Sequence, residues 1–166
     1  MLEDIGVFGD LDIKHLDTIC SVKFPDFEFD IAPGVSAFQE QLIELVPKEK
    51  EGIEKLFNTM KRLNEETSAL QENPPEGIGP DEFADKYPLH TKYMKASNDD
   101  FLSDHVQDPK IPAILNHLTA MFGQPPHRMA ALVYMSILYD LVSEANDYIQ
   151  GGVFSQPGTS GQYRQT

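Results

Sequence analysis

The spacing of apolar and polar positions changes several times along the chain, and each change predicts an element. Residues 2–9 predict a short helical turn ending at Gly9. Between Leu11 and Ile31 the period is two. Val22 and Phe24 alternate with Ser21 and Lys23, and beyond Pro25-Asp26 the residues Phe27, Phe29 and Ile31 alternate with Glu28 and Asp30. This predicts a β-hairpin with one apolar and one wet face. Two strands alone are marginal, so the hairpin needs a sheet or helix to lie on.

The period then becomes helical. Ser36 and Gln39 fit a capping box, with Phe38, Leu42, Leu45 and Val46 on one face. Pro47 opens a second helix at a position where its missing N–H costs little. Ile53, Leu56, Phe57, Met60 and Leu63 follow at i, i+3, i+4 and i+7 spacing, and Pro74 and Pro75 stop the helix near Asn73. The Pro- and Gly-rich loop at 73–81 is a turn within one domain, since too little chain stands on either side for two cores. Phe83 and Tyr87 predict one or two helical turns, and Ser97 or Asn98 caps a short helix through Phe101, Leu102 and Val106.

Asp108-Pro109 starts a further helix, lined by Ile111, Ile114, Leu115, Leu118, Met121 and Phe122 and closed by Gly123. Pro125-Pro126 open the most apolar stretch of the chain. From Met129 to Val142 only Ser136 and Asp140 are clearly polar, which predicts a helix at 126–149 buried on all sides, with the other elements packed around it. Gly151 and Gly152 then lead into a glycine-rich strand-and-turn that runs to Thr166. With that turn unfinished, the expectation is a piece excised from a larger protein. Together these elements predict an α+β fold. An N-terminal β-hairpin or small sheet is followed by a mostly helical bundle with one central apolar helix, all in a single domain over 1–166.

Charge and composition narrow the partners. The formal net charge is −14 over 166 residues, which opposes nucleic-acid binding and a polybasic lipid anchor, because both need clustered Lys and Arg. The start of the chain lacks the basic and apolar regions of a signal peptide, and no apolar run reaches the ~18 residues of a membrane span. The expected location is the cytoplasm. The single cysteine, Cys20, lies in an apolar-rich strand, where a buried structural thiol is the default over a nucleophile.

The five histidines, His15, His90, His105, His117 and His127, include no H-x-x-x-H pair, so no helix face presents two imidazoles to a metal. The acidic run Asn98-Asp99-Asp100 lacks the central glycine of a calcium loop. Neither G-x-G-x-x-G nor G-x-x-x-x-G-K-[ST] occurs. Aromatic residues and methionines are plentiful. They line apolar ligand pockets, and at helical spacing they equally fill cores.

The order of phrases carries a resemblance. LDIKHLDTICSVKFPDFEFDIAPGVSAFQEQLIELVPKEKEGIEKLF resembles the middle region of the carotenoid desaturase, carotenoid isomerase and retinol saturase family, with a hairpin ending in F-P-D and a P-x-E-x-x-G-I phrase met by Pro47, Glu49, Gly52 and Ile53. DPKIPAILNHLTAMFGQPPHRMAALVYMSILYD resembles the family's next two helices and the G-x-P-P break between them. GGVFSQPGTSGQY is similar to the glycine segment that returns to the flavin.

The resemblance implies the substrate-binding domain of an FAD-dependent oxidoreductase acting on a polyene or retinoid, peripheral to a membrane in the parent enzyme. It places Gly151, Gly152, Gly158, Ser160 and Gly161 beside FAD in that parent. Because the FAD-binding parts are absent from this sequence, the fragment itself is expected to bind no FAD and to catalyse nothing. Within the implied apolar tunnel, Phe122, Met129, Tyr134 and Met135 are the candidate substrate contacts. The face turned to the missing FAD-binding domain is expected to be apolar and to support a homodimer. Two other functions compete with this one. One is a self-contained helical binding or interaction module without redox chemistry. The other is a stand-alone hydrolase or metal enzyme, which the missing motifs disfavour.

Overall fold

The hairpin forms where the alternation places it. Strands β2 (Cys20–Lys23) and β3 (Glu28–Ile31) pair antiparallel, with Val22 opposite Phe29 and Cys20 opposite Ile31. The Phe24 N–H donates to the Phe27 carbonyl at 2.8 Å across the Pro-Asp turn, and the two rings stack 4.4 Å apart. Phe29 and Ile31 are buried, whereas Glu28 and Asp30 are exposed. The computed structural model describes residues 13–143 and 147–149; the predicted turn at 2–9 and the glycine segment after Gly151 lie outside them.

Two helices cover the hairpin. Helix α1 (Val35–Leu45) and helix α2 (Lys50–Glu72) carry Phe38 and Phe57, whose rings meet edge to face at 5.7 Å, and Phe38 also lies 6.2 Å from Phe29. The predicted stripe of α2, Ile53, Leu56, Phe57, Met60 and Leu63, is buried throughout, and Asn73 is its C-cap. The cap of α1 differs from expectation. Helix α1 starts from Gly34 at φ +94°, a left-handed conformation open to glycine, and no side chain caps it. Ser36 therefore falls inside the first turn, too late to act as the cap.

The proline-opened helices α3 (Pro80–Lys86) and α4 (Pro88–Tyr93) follow. Helix α5 (Asn98–Ser103) has the reciprocal capping box: Asp100 N–H donates to Ser97 Oγ at 3.2 Å, and Ser97 N–H donates to Asp100 Oδ2 at 2.9 Å. The helix predicted after Pro109 is split. Helix α6 spans only Lys110–Leu115, and a 3₁₀ segment, His117–Phe122, succeeds it. At the break the Asn116 carbonyl accepts both the N–H and the hydroxyl of Thr119, which tightens the turn to i+3.

The apolar helix is shorter and less buried than its composition predicts. Helix α7 spans Ala131–Ser143. Ahead of it Met129 is extended, because Asn98 N–H donates to the Met129 carbonyl and Ala131 N–H to the Ala96 carbonyl, both at 3.0 Å. Residues at 147–149 form a strand instead of continuing the helix: β1 (Ile13–His15) and β4 (Asp147–Ile149) pair antiparallel, with Ile13 opposite Ile149. Helix α7 buries Tyr134, Met135, Leu138 and Val142 but leaves Val133 56% and Ile137 41% exposed. It shares the centre of the bundle with α2 and is not enclosed on every side.

A close backbone approach joins the two halves of the chain. At Gly52 on α2 an added Cβ would collide with the His105 carbonyl oxygen. One turn earlier, Glu49 Oε1 accepts the N–H groups of Gln107 at 3.1 Å and Asp108 at 2.8 Å. Lys48 pairs with Asp108 at 2.9 Å and holds that carboxyl below its usual range, helped by the Lys110 N–H. Gly52→Ala would ordinarily favour a helix by ~1 kcal/mol; here the clash is expected to reverse the sign and cost about 1–3 kcal/mol in urea unfolding. Gly79→Ala, with nothing within 4 Å, is the control expected to show no comparable loss.

The same region senses acid. His105 Nδ1 lies 2.8 Å from the Phe101 carbonyl and Nε2 lies 3.1 Å from Thr59 Oγ1. Burial pushes its pKa below the ordinary 6.5; the bond to the Phe101 carbonyl and then Asp104 oppose it, while Lys55 and Lys92 add to it. A depressed value means the unfolded chain takes up the proton more readily. The stability held by neutral His105 is therefore present above about pH 6.5 and lost as pH falls through the depressed value. Thermal melts at about pH 7.5 and about pH 5.5 should show a drop that His105→Gln reduces.

Candidate functional site

Helices α2, α4 and α7 leave a groove of about 380 Å³ between them. That is near the small end of the ~300–1,000 Å³ common for small-molecule sites. One wall is apolar, from Leu132, Val133 and Ile137 on α7. The base is polar, from Thr67 on α2, His90 on α4 and Ser136 on α7. At one end Asn64 Nδ2–H donates to Asp140 Oδ1 at 2.8 Å and closes the groove between α2 and α7.

The polar base is held by Glu66. Its carboxylate accepts the backbone N–H groups of Leu89 at 3.3 Å and His90 at 3.0 Å, satisfying the first turn of α4. The same carboxylate lies 3.2 Å from His90 Nδ1, so backbone and ring are fixed by one group. His90 Nε2 then faces Thr67 Oγ1 at 3.3 Å, and Ser136 Oγ lies 3.3 Å from the same oxygen. Thr67 donates its single proton to the Leu63 carbonyl at 2.8 Å, which leaves its oxygen to accept from Ser136. Glu66, His90, Thr67 and Ser136 thus form one connected chain of polar groups beneath an apolar wall.

A second pairing involves the only cysteine. Cys20 Sγ lies 3.2 Å from His117 Nε2, across 97 positions of sequence, while His117 Nδ1 bonds to the Ile114 carbonyl. Nothing in the sequence spacing marks this pair. Burial raises the Cys20 pKa above 9.0 and Asp30 adds to it, so the thiol is the resting form and not the nucleophilic thiolate.

The sequence-derived contacts fall elsewhere. Met129, Tyr134 and Met135 are buried in the core, and the Tyr134 hydroxyl donates to the Leu115 carbonyl at 2.7 Å. Phe122 is 45% exposed, its ring 6.0 Å from that of Tyr134. The structure brings Phe122 and Tyr134 together, but none of the four lines the groove. Gly151, Gly152, Gly158, Ser160 and Gly161 lie outside the described residues. Among the described residues no cluster of His, Cys, Asp and Glu could hold a metal, and no helix is long and apolar enough to cross a membrane.

Sequence reasoning missed the groove, although a signal was present. Asn64, Thr67, Ser68 and Gln71 form an uncharged polar stripe at i, i+3, i+4 and i+7, and Ser136 and Asp140 interrupt α7 at i, i+4. Compared with family models, with curated proteins and with solved structures, the chain matches none.

The half-buried thiol yields a direct test. Alkylation of Cys20 by iodoacetamide is expected to reach half its maximal rate above pH 9.0, and Asp30→Asn to lower that midpoint. A midpoint below that of free cysteine would instead mark an activated thiolate.

Proposed function

We propose that the chain is the substrate-binding or lid domain of an FAD-dependent oxidoreductase acting on a polyene or retinoid, inactive by itself. The observation that most supports this is the β1–β4 pair. Its antiparallel register sets Ile13 opposite Ile149, so the chain enters and leaves the helical body side by side. That is the geometry of a unit carried within a larger protein. The order of phrases from the F-P-D turn to the returning glycines adds to it. FAD, held by the parent, would supply the redox chemistry. This domain's role would be to bind the apolar substrate, exclude water and dock on the flavin-binding domain, with Phe122 as its most accessible aromatic contact. Cytoplasmic location with peripheral membrane contact, and self-association of the isolated domain, belong to the same proposal.

An alternative is a self-contained binding module without redox chemistry, favoured by the groove being built entirely from this chain. Titration with retinyl acetate or β-carotene, followed by quenching of tyrosine fluorescence, tests the first proposal. Saturable binding at about micromolar concentration is expected. A folded chain, by circular dichroism, that leaves both polyenes unbound would remove the substrate-domain role for this chain alone.

A further inference from the structure

The geometry points to a ligand site in the groove between α2, α4 and α7 for a small uncharged amphiphile, its hydroxyl on the Thr67–His90–Ser136 base and its hydrocarbon along Leu132, Val133 and Ile137. This site stands on the groove's own chemistry and does not require the flavoprotein role.

Shape and chemistry agree on the apolar half. Val133 and Ile137 are among the most exposed large apolar side chains described, at 56% and 41%, and they stand at i, i+4 along one wall of the groove. A hydrocarbon laid there would cover surface that water now wets, which is favourable roughly in proportion to the area removed from water.

The polar half selects the head group. Thr67 Oγ1 has two neighbours, His90 Nε2 and Ser136 Oγ, both at 3.3 Å, which is long for these atom types. Its own proton is already directed to the Leu63 carbonyl. A ligand hydroxyl can donate and accept at once, so it could bridge His90 and Ser136 and give each a closer partner. Charge opposes a carboxylate head. A carboxylate would lie near Asp140 and Glu66 on a chain of net charge −14, with no lysine or arginine lining the groove. Glu66 fixes the His90 backbone, so the base is organised before any ligand arrives and little ordering is needed on binding.

The test uses 1-octanol as the probe, with octanoate as the charged control, read by methyl NMR of the full chain. Octanol is expected to shift the Val133 and Ile137 methyls with saturation. Octanoate, and octanol with Thr67→Val or Ser136→Ala, should bind about tenfold more weakly, the scale of one lost hydrogen bond. Unmoved Ile53 and Leu56 signals report that each variant is folded. Ser136→Ala removes one hydroxyl within an apolar helix and keeps the test open should Thr67→Val fail to fold. Absence of a saturable shift at Val133 and Ile137, equal binding of octanoate, or undiminished binding by folded Ser136→Ala would overturn the site. Octanol binding without polyene binding leaves the groove standing and the substrate-domain role unsupported, and the opposite pair of results removes the groove alone.

Discussion

The body of the domain closes because α2 lets a second backbone run against it at Gly52. The place of a side chain there is taken by the His105 carbonyl, and Glu49 one turn earlier receives the amides of Gln107 and Asp108. Those amides precede α6, and the part-buried Asp108 amide in particular needs a partner. With the 105–108 segment seated, α5 presents Phe101 and Leu102 to the core and α6 presents Ile111, Ile114 and Leu115. The Tyr134 hydroxyl then reaches the Leu115 carbonyl and ties α7 to that assembly. A glycine and a carboxylate three positions apart thus join halves of the chain separated by more than fifty residues.

The groove depends on the same framework from the other side of α2. Its apolar stripe faces the core, and its uncharged polar stripe faces α4 and α7. Glu66 sits at the boundary, close enough to α4 to take its first amides and the His90 ring together. Partly buried polar groups of this kind are tolerated only when they are linked. Here the linkage continues through Thr67 to Ser136, one of the polar residues that make α7 other than a purely apolar helix.

Local pattern made much of this legible. The hairpin, the buried stripe of α2, the stop at Asn73 and the Ser97 cap all follow from contacts within a few residues, where spacing alone is sufficient. The long apolar run misled because hydrophobicity reports burial and says nothing of backbone shape. Met129 is buried as an extended residue paired with Asn98, and β4 takes the place of a longer helix. Ser36 fits the spacing of a capping box, but the backbone conformation at Gly34 starts the helix two positions earlier. Cys20 with His117, and Glu66 with His90, are joined only by tertiary packing, so no spacing rule could pair them. The groove lay between these cases: both its polar stripes are periodic, but only the crossing of α2 and α7 turns them into one surface.

The pairing of β1 with β4 also fixes how the body would respond to a pull. A load applied at Ile13 and Ile149 acts on the outermost rung of an antiparallel ladder, and the rungs toward His15 and Asp147 would then separate in sequence. The strands would open like a zip, with no need for several hydrogen bonds to shear at once. Three rungs therefore act as a mechanical fuse, yielding before tension reaches the helices that hold the groove.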